Sequence, residues 1–463
     1  MTAPSRAAVA TGALFTDLYE LTMSASYLAL GLDGWATFEL FVRSLPDSRR
    51  FLVACGLEPA LDHLEALAPT PAEQGWLEGT GRFDPELLER FAGLRFTGDV
   101  WAVPEGELVF AGEPLLRVTA PLVEASLVET ALLNLVGHST MVASKAARVA
   151  LACGGRPFVD FSARRDHGPS AALLGARAAA VAGAAGTSLV AAGMAYGLPL
   201  SGTMAHAYVL RLGDEEEAFR SYARAARGEV TLLLDTFDTE EGARRAARVA
   251  QELAAEGRAV TGVRLDSGDL VALSRTVRAV LDDAGCTDVR IIASGDLDEH
   301  VIAGLLAAGA PVDAFGVGTR MGTSADAPSL GVVYKLVEDV DGPRAKRSPG
   351  KVTLPGAKQI WRRRDDGGAP VGDVLALADE EVEGAEPLLR QVVAGGRRLT
   401  RPPLAEAIGR CAANLAALPA PLRELAAEPA PPFPVGLTPA LRDLAEAVGG
   451  PLGRPVVGEE RLG

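Results

Sequence analysis

Four short apolar runs in the middle of the chain each end in an aspartate or in a glycine-rich loop. In chain order they are residues 230–235, 259–266, 289–296 and 312–319. Helical patterns such as residues 240–256 and 270–283 lie between them, so strand, polar loop and helix alternate about every 25–30 residues, as in parallel α/β units. Loops at the carboxyl ends of such strands build the active site of α/β barrels. The pattern therefore indicates an enzyme.

The regions on either side of these repeats carry other patterns. The first part predicts a helix at residues 14–31, a strand at 35–42, a helix at 59–67 that begins with Pro59, a β-rich subdomain at 95–121 and one long helix at 124–152. Beyond residue 329, a strand at 332–338 and further β-type sequence precede a helical tail from Leu404. The strand–helix repeats thus form a central block of the chain.

Composition narrows the function classes. The 463 residues are 48% apolar and 23% charged, which is typical of a folded globular protein. The net charge of -15 argues against nucleic acid or an anionic membrane as partner, and anionic substrates would need local arginines and backbone amides. Cys55, Cys153, Cys286 and Cys411 have no metal-ligand spacing, and residues 1–12 lack a secretory signal pattern. We therefore expect a cytoplasmic protein with reduced thiols.

Two segments carry residues suited to anion binding and group transfer. Arg164 and Arg165 follow a predicted strand at residues 158–161, and paired guanidinium groups can bind phosphate or carboxylate. A solvated turn is the structural alternative for this pair. Further along, Thr203 supplies a hydroxyl shortly before His206, whose imidazole can act as a base or as a nucleophile. A purely structural histidine is the alternative there.

The second and third strand ends carry carboxylates and a hydroxyl. Arg264, Asp266 and Asp269 fall within one strand end and turn. Two carboxylates this close suit ribose hydroxyls or Mg²⁺, and Asp269 also suits the N-cap of the following helix. Ser294 and Gly295 offer a hydroxyl and backbone amides after the next run.

The fourth strand end is a candidate phosphate cradle. Gly316 and Gly318 would let the backbone approach an anion, and Thr319 adds a hydroxyl. Its place after a late strand matches the usual phosphate site of α/β barrels. The segment alone is weak evidence, since it is neither a Walker A loop nor a dinucleotide-binding fingerprint.

Taken in order, seven segments resemble the nicotinate phosphoribosyltransferase family. They are Thr-Asp-Leu-Tyr-Glu-Leu-Thr-Met at 16–23, Phe-Glu-Leu-Phe-Val-Arg at 38–43, Phe-Ser-Ala-Arg-Arg-Asp-His-Gly-Pro at 161–169, Gly-Thr-Met-Ala-His at 202–206, Gly-Val-Arg-Leu-Asp-Ser-Gly-Asp at 262–269, Gly-Val-Gly-Thr at 316–319 and Pro-Ser-Leu-Gly-Val-Val-Tyr-Lys at 328–335. The match spans residues 14–358. Each motif is modest alone, and their shared order makes the resemblance specific.

The resemblance implies an ATP-dependent reaction of nicotinate with 5-phosphoribosyl 1-diphosphate that yields nicotinate mononucleotide and diphosphate, with Mg²⁺ held mainly through the substrate phosphates. It also implies a mixed α/β fold, in which an irregular TIM-like α/β barrel accompanies an N-terminal α+β domain and a C-terminal extension, usually in a homodimer. The expected domains are residues 1–152, 153–330 and 331–463, with the last packing on the first.

The same resemblance assigns roles to single residues. His206 matches the histidine that the family phosphorylates, Tyr19 its nicotinate-contacting tyrosine, and Thr203 and Arg264 its threonine and arginine. Thr353 matches the threonine associated with the phosphoribosyl diphosphate.

The segment around His206 departs from the family in one respect. Many relatives have serine where this chain has Ala207, so a hydroxyl contact from that position is absent. No acidic residue neighbours His206 along the sequence, unlike in the related nicotinamide enzyme, which mildly favours a carboxylate substrate.

Elementary chemistry agrees with the implied reaction. The pyridine nitrogen of nicotinate is already a nucleophile, so the transfer needs no general base and His206 is left for ATP. Asp266 and Asp269 could hold the ribose hydroxyls and the metal as an oxocarbenium-like ribose develops.

Other readings of the sequence stay open. They are a nicotinamide or quinolinate phosphoribosyltransferase, a sugar-phosphate lyase on the same barrel, and a non-catalytic binding protein. A Schiff-base lyase would want a lysine at a strand end, and the four apolar runs contain none. Lys145, on the long helix, is predicted to be solvated.

Overall fold

The computed structural model describes residues 12–348, 353–425 and 432–449. Residues 1–11, most of the segment inspected for a secretory signal, lie outside the described part. The chain divides into two compact units, the first made of Met1–Ser144 with Ser329–Gly463 and the second of Lys145–Pro328. The expected division into three domains stays a prediction. Among the described residues, no helix has both the length and the apolar character needed to cross a membrane.

Strands occur in both units and are numbered in chain order. They are β1 Trp35–Val42, β2 Leu52–Val53, β3 Asp99–Ala102, β4 Leu108–Val109, β5 Pro114–Pro121, β6 Phe158–Asp160, β7 Thr231–Leu233, β8 Gly262–Leu265, β9 Arg290–Ala293, β10 Ala314–Val317, β11 Val332–Asp339, β12 Gly342–Pro343, β13 Lys358–Arg364, β14 Pro370–Leu377, β15 Glu386–Pro387, β16 Arg390–Ala394, β17 Arg397–Arg398 and β18 Val435–Leu437.

The helices of the described residues are numbered in the same way. They are α1 Leu18–Ala29, α2 Leu57–Ala66, α3 Pro71–Gly79, α4 Pro85–Ala92, α5 Leu122–Leu127, α6 Glu129–Ala152, α7 Pro169–Val181, α8 Val190–Tyr196, α9 His206–Leu212, α10 Glu215–Ala225, α11 Thr239–Ala255, α12 Leu270–Asp283, α13 Glu299–Ala307, α14 Thr319–Gly322, α15 Leu404–Ala417, α16 Ala420–Arg423 and α17 Pro439–Gly449.

The first unit is built around a seven-stranded antiparallel sheet in the order β12-β11-β1-β5-β3-β16-β17. In its centre, Phe38 of β1 lies opposite Val118 of β5 and Leu336 of β11. The rings of Phe38 and Tyr334 stack with centroids 4.9 Å apart, and the Tyr334 hydroxyl donates to the Ala125 carbonyl at 3.0 Å. This apolar sheet face forms the core of the unit.

A second, four-stranded sheet of the same unit, in the order β15-β13-β14-β18, contains a buried ion cluster. Arg362 is 1% exposed, and its Nε and Nη2 donate to Asp373 at 2.9 and 2.6 Å. Its Nη1 donates to Glu107 at 2.7 Å. Because every arm of the guanidinium has a carboxylate partner, the buried charge is compensated.

The second unit contains a five-stranded sheet in the order β6-β10-β9-β8-β7, with every pairing parallel. Two isolated parallel bridges, from Asp160 to Thr187 and from Thr187 to Leu200, extend it beyond β6. Within the described residues these pairings form an open arc and do not close into a ring. The predicted irregular α/β fold is therefore confirmed.

Helices α11, α12 and α13 connect the successive strands β7 to β10, as the alternating pattern predicts. Each begins at an aspartate whose side chain accepts backbone N–H groups of the first turn, at Asp238, Asp269 and Asp298. The apolar faces of α11 and α12 share one buried core with strands β7 to β9, which includes Val249 and Leu232. Parallel pairing brings the carboxyl ends of all these strands to one edge of the sheet.

Two predictions about helices need correction. Helix α2 begins at Leu57, so Pro59 occupies its third position, still within the first turn where no intrahelical N–H bond is lost. The start is set by Gly56, at φ 93°, where a Cβ would lie 2.5 Å from the Leu135 carbonyl oxygen. The predicted helix at 124–152 is two helices, α5 and α6, interrupted at Val128, which keeps near-helical backbone angles.

The expectation of a solvated Lys145 is also wrong. The residue is 2% exposed, and its Nζ lies 2.6 Å from Glu299 Oε2 and 2.8 Å from Asp326 Oδ1. Arg148, one turn further along α6, donates from Nε to Glu299 Oε1 at 2.8 Å. The acidic partners, distant in sequence, compensate the buried charges.

Candidate active site

The carboxyl edge of the parallel sheet gathers most of the predicted site residues. Asp266 follows β8 directly, Ser294 follows β9, and Gly318 follows β10. Asp235 stands two residues beyond the last residue of β7. All predicted site residues except Tyr19 and Thr353 belong to the second unit.

A histidine–aspartate–serine chain links two of these strand ends. His206 is the first residue of α9, and its Nε2 lies 3.2 Å from Asp235 Oδ1. The Ser267 hydroxyl donates to the other oxygen, Asp235 Oδ2, at 2.5 Å. The Asp235 side chain is only 5% exposed, whereas that of His206 is 41% exposed. A held carboxylate therefore positions an imidazole that solvent and ligands can still reach.

The Asp235 contact fixes which imidazole nitrogen is available for chemistry. An ionised carboxylate can only accept hydrogen bonds, so the nitrogen that faces it carries the proton in the neutral imidazole. That nitrogen is Nε2, which leaves the lone pair on Nδ1.

Arg264 presents a largely buried positive charge at the end of β8. Its Nη2 donates to the Met204 carbonyl at 3.3 Å and its Nη1 to Asp266 at 3.4 Å, both long contacts. Its Nε is buried and has no hydrogen-bond partner among the described residues. Burial lowers the pKa of Arg264, which the carboxylates of Asp266 and Asp235 partly offset. A buried guanidinium with an unpaired N–H is suited to receive an anion.

Arg164, the first of the paired arginines, lies close to this charge. Arg164 contributes to the lowered pKa of Arg264, which shows that their positive charges act on each other. Arg164 and Arg165 are both exposed, and neither has a carboxylate partner in the part of the chain that the structure describes. Asp266 and Asp235 partly balance Arg264, so it is Arg164 and Arg165, without ion pairs among the described residues, that favour an anionic ligand here, in a chain whose net charge is -15.

Buried hydrogen bonds anchor the loop that carries the paired arginines. Asp160 accepts from the backbone N–H and the hydroxyl of Ser162 at 2.9 and 2.6 Å, and from the Thr187 hydroxyl at 2.8 Å. The Ser162 hydroxyl is also 3.0 Å from Asp166, whose pKa is raised by burial and by the nearby charge of Asp160. The start of this loop is therefore held in one conformation by its own polar side chains.

Asp266 is held at its carboxylate by Ser294, and its backbone packs closely against Gly295. The Ser294 hydroxyl donates to Asp266 Oδ1 at 2.5 Å. Gly295, at φ 90°, packs so closely that a Cβ there would lie 2.0 Å from the Asp266 carbonyl oxygen. Only glycine fits this position, so packing alone explains why residue 295 is a glycine, whether or not it binds a ligand.

Asp269 caps helix α12, the alternative role that its position suggested. Its Oδ1 accepts from the backbone N–H groups of Val271 and Ala272 at 3.0 and 3.1 Å. Among the described residues, no three histidine, cysteine, aspartate or glutamate side chains are placed to form a metal centre by themselves. Mg²⁺ is often held by one or two carboxylates together with substrate phosphates, and Asp266 with Asp269 fits that donor set.

The glycine loop after β10 differs in detail from a simple phosphate cradle. Gly316 lies buried within β10, and a Cβ there would stand 2.5 Å from the Phe161 ring, so packing already requires glycine. Gly318 is the N-cap of the short helix α14, and Thr319 is the first residue of that helix. Gly318 and Thr319, which lie beyond the strand, are therefore better placed than Gly316 to meet a ligand.

The remaining predicted residues make local contacts. The Thr203 hydroxyl donates to the Met204 carbonyl at 3.1 Å. Tyr19, in the first unit, is 45% exposed, and its pKa is raised by burial and by nearby Glu129. Thr353, in the same unit, is buried and accepts from the Lys346 N–H at 2.9 Å. Their roles toward substrate stay predictions.

Asp235 and Ser267 were missed as site residues by the sequence analysis. Asp235 ends an apolar run just as Asp266 does, so the strand-end rule already marks it. Its partner His206 is 29 residues away along the chain, and no local pattern pairs them. An acidic residue does stand beside His206 in space, so the sequence-neighbour argument for a carboxylate substrate does not hold. Arg164 and Arg165, which have no carboxylate partner among the described residues, supply a better argument for a carboxylate substrate.

Comparisons with known proteins agree with this geometry. Residues 14–137 match the model of the nicotinate phosphoribosyltransferase (NAPRTase) N-terminal domain, and residues 157–338 match that of the nicotinate phosphoribosyltransferase (NAPRTase) family. Together these matches cover more than half of the chain.

Individual relatives extend the likeness over most of the chain. It is 46% identical over 416 residues to nicotinate phosphoribosyltransferase pncB2 of Mycobacterium tuberculosis, covering 89% of each chain. It is 44% identical to nicotinate phosphoribosyltransferase of Bacillus subtilis, covering 80% of this chain and 77% of that one. The crystal structure of human nicotinic acid phosphoribosyltransferase superposes with a TM-score of 0.81 at 30% identity, covering 93% of this chain and 99% of the human one.

Proposed function

This chain belongs to the nicotinate phosphoribosyltransferase family, and we propose that it forms nicotinate mononucleotide and diphosphate from nicotinate and 5-phosphoribosyl 1-diphosphate, at the expense of ATP. This reaction would recover nicotinate for NAD biosynthesis. The observation that carries the proposal is the buried Arg264, whose Nε lacks a partner among the described residues, beside the unpaired Arg164. Both lie in the unit that holds the His206–Asp235 pair.

Recognition of nicotinate follows from its charge. The carboxylate can accept from Arg264 Nε, and the second arginine compensates the cost of bringing the anion into a partly dry site. Nicotinamide carries no charge and would leave Arg164 without an anionic partner. The arrangement therefore favours nicotinate over nicotinamide.

Transfer of the ribosyl group requires stabilisation of the negative charge on the departing diphosphate and of the positive charge that develops on the ribose. The pyridine nitrogen forms the new bond to the anomeric carbon while the bond to diphosphate breaks, and the diphosphate leaves with the electron pair. Arg164, Arg165 and the amides near Gly318 can bind the phosphates. Asp266, held by Ser294, can bind a ribose hydroxyl as positive charge develops on the sugar.

Mg²⁺ would be held by Asp266 and Asp269 together with the substrate phosphates. Bound there, it would neutralise the charge of the departing diphosphate. The protein side chains would fix the position of the metal and leave its other coordination sites to phosphate oxygens and water.

Coupling to ATP is assigned to His206. With Nε2–H facing Asp235, the Nδ1 lone pair would attack the γ-phosphate, ADP would leave, and the proton would stay on Nε2. Asp235 would stabilise the positive charge that the ring gains when it is phosphorylated. Water would later hydrolyse the phosphohistidine and release phosphate.

The His206→Ala variant tests the coupling role. We expect it to lose ATP stimulation while a slow transfer of the ribosyl group remains. A suitable control is His300→Ala, because His300 is 57% exposed and its Nε2 lies 3.8 Å from Glu299, outside the strand ends that carry the site. Full ATP stimulation in the His206 variant would contradict the assignment.

We further propose that the enzyme is a homodimer, as the resemblance implies, and that it is cytoplasmic, where its scattered cysteines would stay reduced. Light scattering coupled to size-exclusion chromatography gives the mass directly. A chain of 48.0 kDa that eluted as a monomer at assay concentration would contradict the dimer.

A further inference from the structure

A cavity of about 330 Å³ lies within the first unit, and its lining includes none of the candidate active-site residues. Its walls come from the turn between β3 and β4, the β13–β14 hairpin, strands β15 and β16, and helix α15. Helix α15 belongs to the C-terminal tail, for which the proposed reaction gives no role.

One face of α15 forms a wall of this cavity. Arg410, Ala413, Asn414 and Ala417 line it, and their spacing places them on the same side of the helix. Two contacts fix the helix in place. Arg410 Nη1 donates to the Glu105 carbonyl at 2.6 Å, and Asn414 Nδ2 donates to the Gly106 carbonyl at 3.2 Å.

The approach of this helix to the β3–β4 turn is very close. A Cβ on Gly106, at φ 82°, would lie 2.2 Å from the Ala407 carbonyl oxygen. Helix α15 therefore packs directly on the backbone of the β3–β4 turn, and this close packing holds the wall of the cavity in place.

The charges that line the cavity do not cancel. Of the acidic residues, Glu386 accepts from Arg364 Nε at 2.6 Å and Glu107 accepts from the buried Arg362 at 2.7 Å. Arg390 and Arg410 have no carboxylate partner among the described residues. Arg364, Arg390 and Arg410 outnumber Glu107 and Glu386 in the lining, so the cavity keeps one net positive charge in a chain whose net charge is -15.

We propose that this cavity binds a small oxyanion ligand, a phosphate ester or a carboxylate, between Arg390 and Arg410. Guanidinium groups bind both kinds of oxyanion, which is why the chemistry is shared. The volume is at the lower end of that of small-molecule sites, so the ligand is a small metabolite. Leu388, Ala413 and Ala417 provide an apolar surface for its carbon skeleton.

Binding at this position has a structural consequence. Arg410 lies on α15 and Arg390 on β16, so one anion would join the C-terminal helix to the seven-stranded sheet. A ligand that binds only the folded unit raises its stability by mass action. The stability of the first unit would therefore rise with the concentration of this metabolite.

The direct test is a crystal of the full chain soaked in tungstate, a tetrahedral oxyanion with a strong anomalous signal. We expect a peak between Arg390 and Arg410 that is lost in the double variant R390Q/R410Q and kept in R397Q. Arg397 is an exposed arginine on the neighbouring strand β17 and does not line the cavity, so it is a matched control. A peak near Arg164 and Arg264 would show independently that tungstate entered the crystal. A cavity without tungstate when that second peak is present would overturn the proposal.

Calorimetric titration separates the two ligand classes in solution. Inorganic phosphate and succinate are titrated separately into the wild-type chain and into each variant. All the substitutions lie in the first unit, so the sequence of the second unit is the same throughout. Each arginine that donates a charge-assisted hydrogen bond is expected to strengthen binding about tenfold, so the double variant should bind the preferred anion about a hundredfold more weakly. Preference for phosphate indicates an ester, and preference for succinate a carboxylate. Equal affinity in the double variant and in R397Q would overturn the proposal, whichever anion binds.

Discussion

Replacing Asp235 with asparagine should uncouple ribosyl transfer from ATP without removing the transfer itself. In the wild-type chain, Asp235 Oδ1 faces His206 Nε2 at 3.2 Å, and the Ser267 hydroxyl holds Oδ2 at 2.5 Å. The asparagine side chain keeps the size of aspartate but brings an amide that can donate to Nε2. Such a donation would place the ring proton on Nδ1 and block the nitrogen assigned to attack ATP.

The magnitude follows from the strength of one charge-assisted hydrogen bond. Such bonds contribute about 1.5–3 kcal/mol. The lower value applies here, because 3.2 Å is long for an N–H···O contact and the His206 side chain is 41% exposed to solvent. Since about 1.4 kcal/mol corresponds to a factor of ten, the ATP-coupled rate should fall at least about tenfold.

The assay measures nicotinate mononucleotide and ADP together, with and without ATP. Asp235→Asn should lose most of the ATP stimulation and keep the ATP-independent rate, and Ser267→Ala should show a smaller loss of the same kind. Asp238→Asn is the matched control, because Asp238 caps α11 and asparagine caps a helix equally well. Unchanged ATP stimulation in Asp235→Asn would refute the assigned role of this carboxylate.

Three further predictions concern the fold around the site. Glu299→Gln should lower the free energy of unfolding by about 3–5 kcal/mol, since it removes the carboxylate that the buried Lys145 and Arg148 share and leaves Asp326 as the remaining carboxylate beside Lys145. Burial alone would raise the pKa of Glu299, but Lys145 and Arg148 outweigh burial and hold the pKa below its usual value. The contribution of Glu299 to the free energy of unfolding is therefore present above the usual carboxylate range and is lost as pH falls through the folded pKa. Urea unfolding at pH 7 and pH 4 checks both statements, and a change below 1 kcal/mol at pH 7 would contradict them. Gly295→Ala should reduce kcat and stability together, because its Cβ would stand 2.0 Å from a backbone oxygen; wild-type kinetics would disprove this close packing. Burial raises the pKa of Cys153 and Cys411 to about 12, so both thiols should resist Ellman's reagent at pH 8 until guanidinium is added. Rapid labelling of either thiol in the folded chain would count against this.

The parallel α/β block could be predicted from the sequence because its signals are local. The helix expected at residues 270–283 is Leu270–Asp283, and the helix expected at 240–256 is Thr239–Ala255. The four strands lie inside the four apolar runs but are shorter, since each run also includes the first residues of the polar loop. Periodicity and N-capping aspartates are sufficient for elements of this kind.

The rest of the site depends on contacts between distant parts of the chain. The pairing of His206 with Asp235 requires β7 and α9 to be adjacent, which no spacing rule states. Lys145 looked solvated because its partner Glu299 lies far along the chain, on another helix. Gly316 suited a phosphate loop in sequence, whereas in three dimensions its missing side chain makes room for Phe161. In each case the sequence indicated the residue type, and tertiary packing decided its role.

The central claim is most directly tested by measuring product formation from 5-phosphoribosyl 1-diphosphate with nicotinate, nicotinamide and quinolinate in parallel, each with and without Mg-ATP. The account predicts that nicotinate mononucleotide forms fastest, that ATP accelerates it, and that ADP appears alongside. Turnover of nicotinamide or quinolinate in preference to nicotinate would contradict the role assigned to Arg264 and Arg164 in substrate recognition. Absence of turnover with all three would contradict the proposed function.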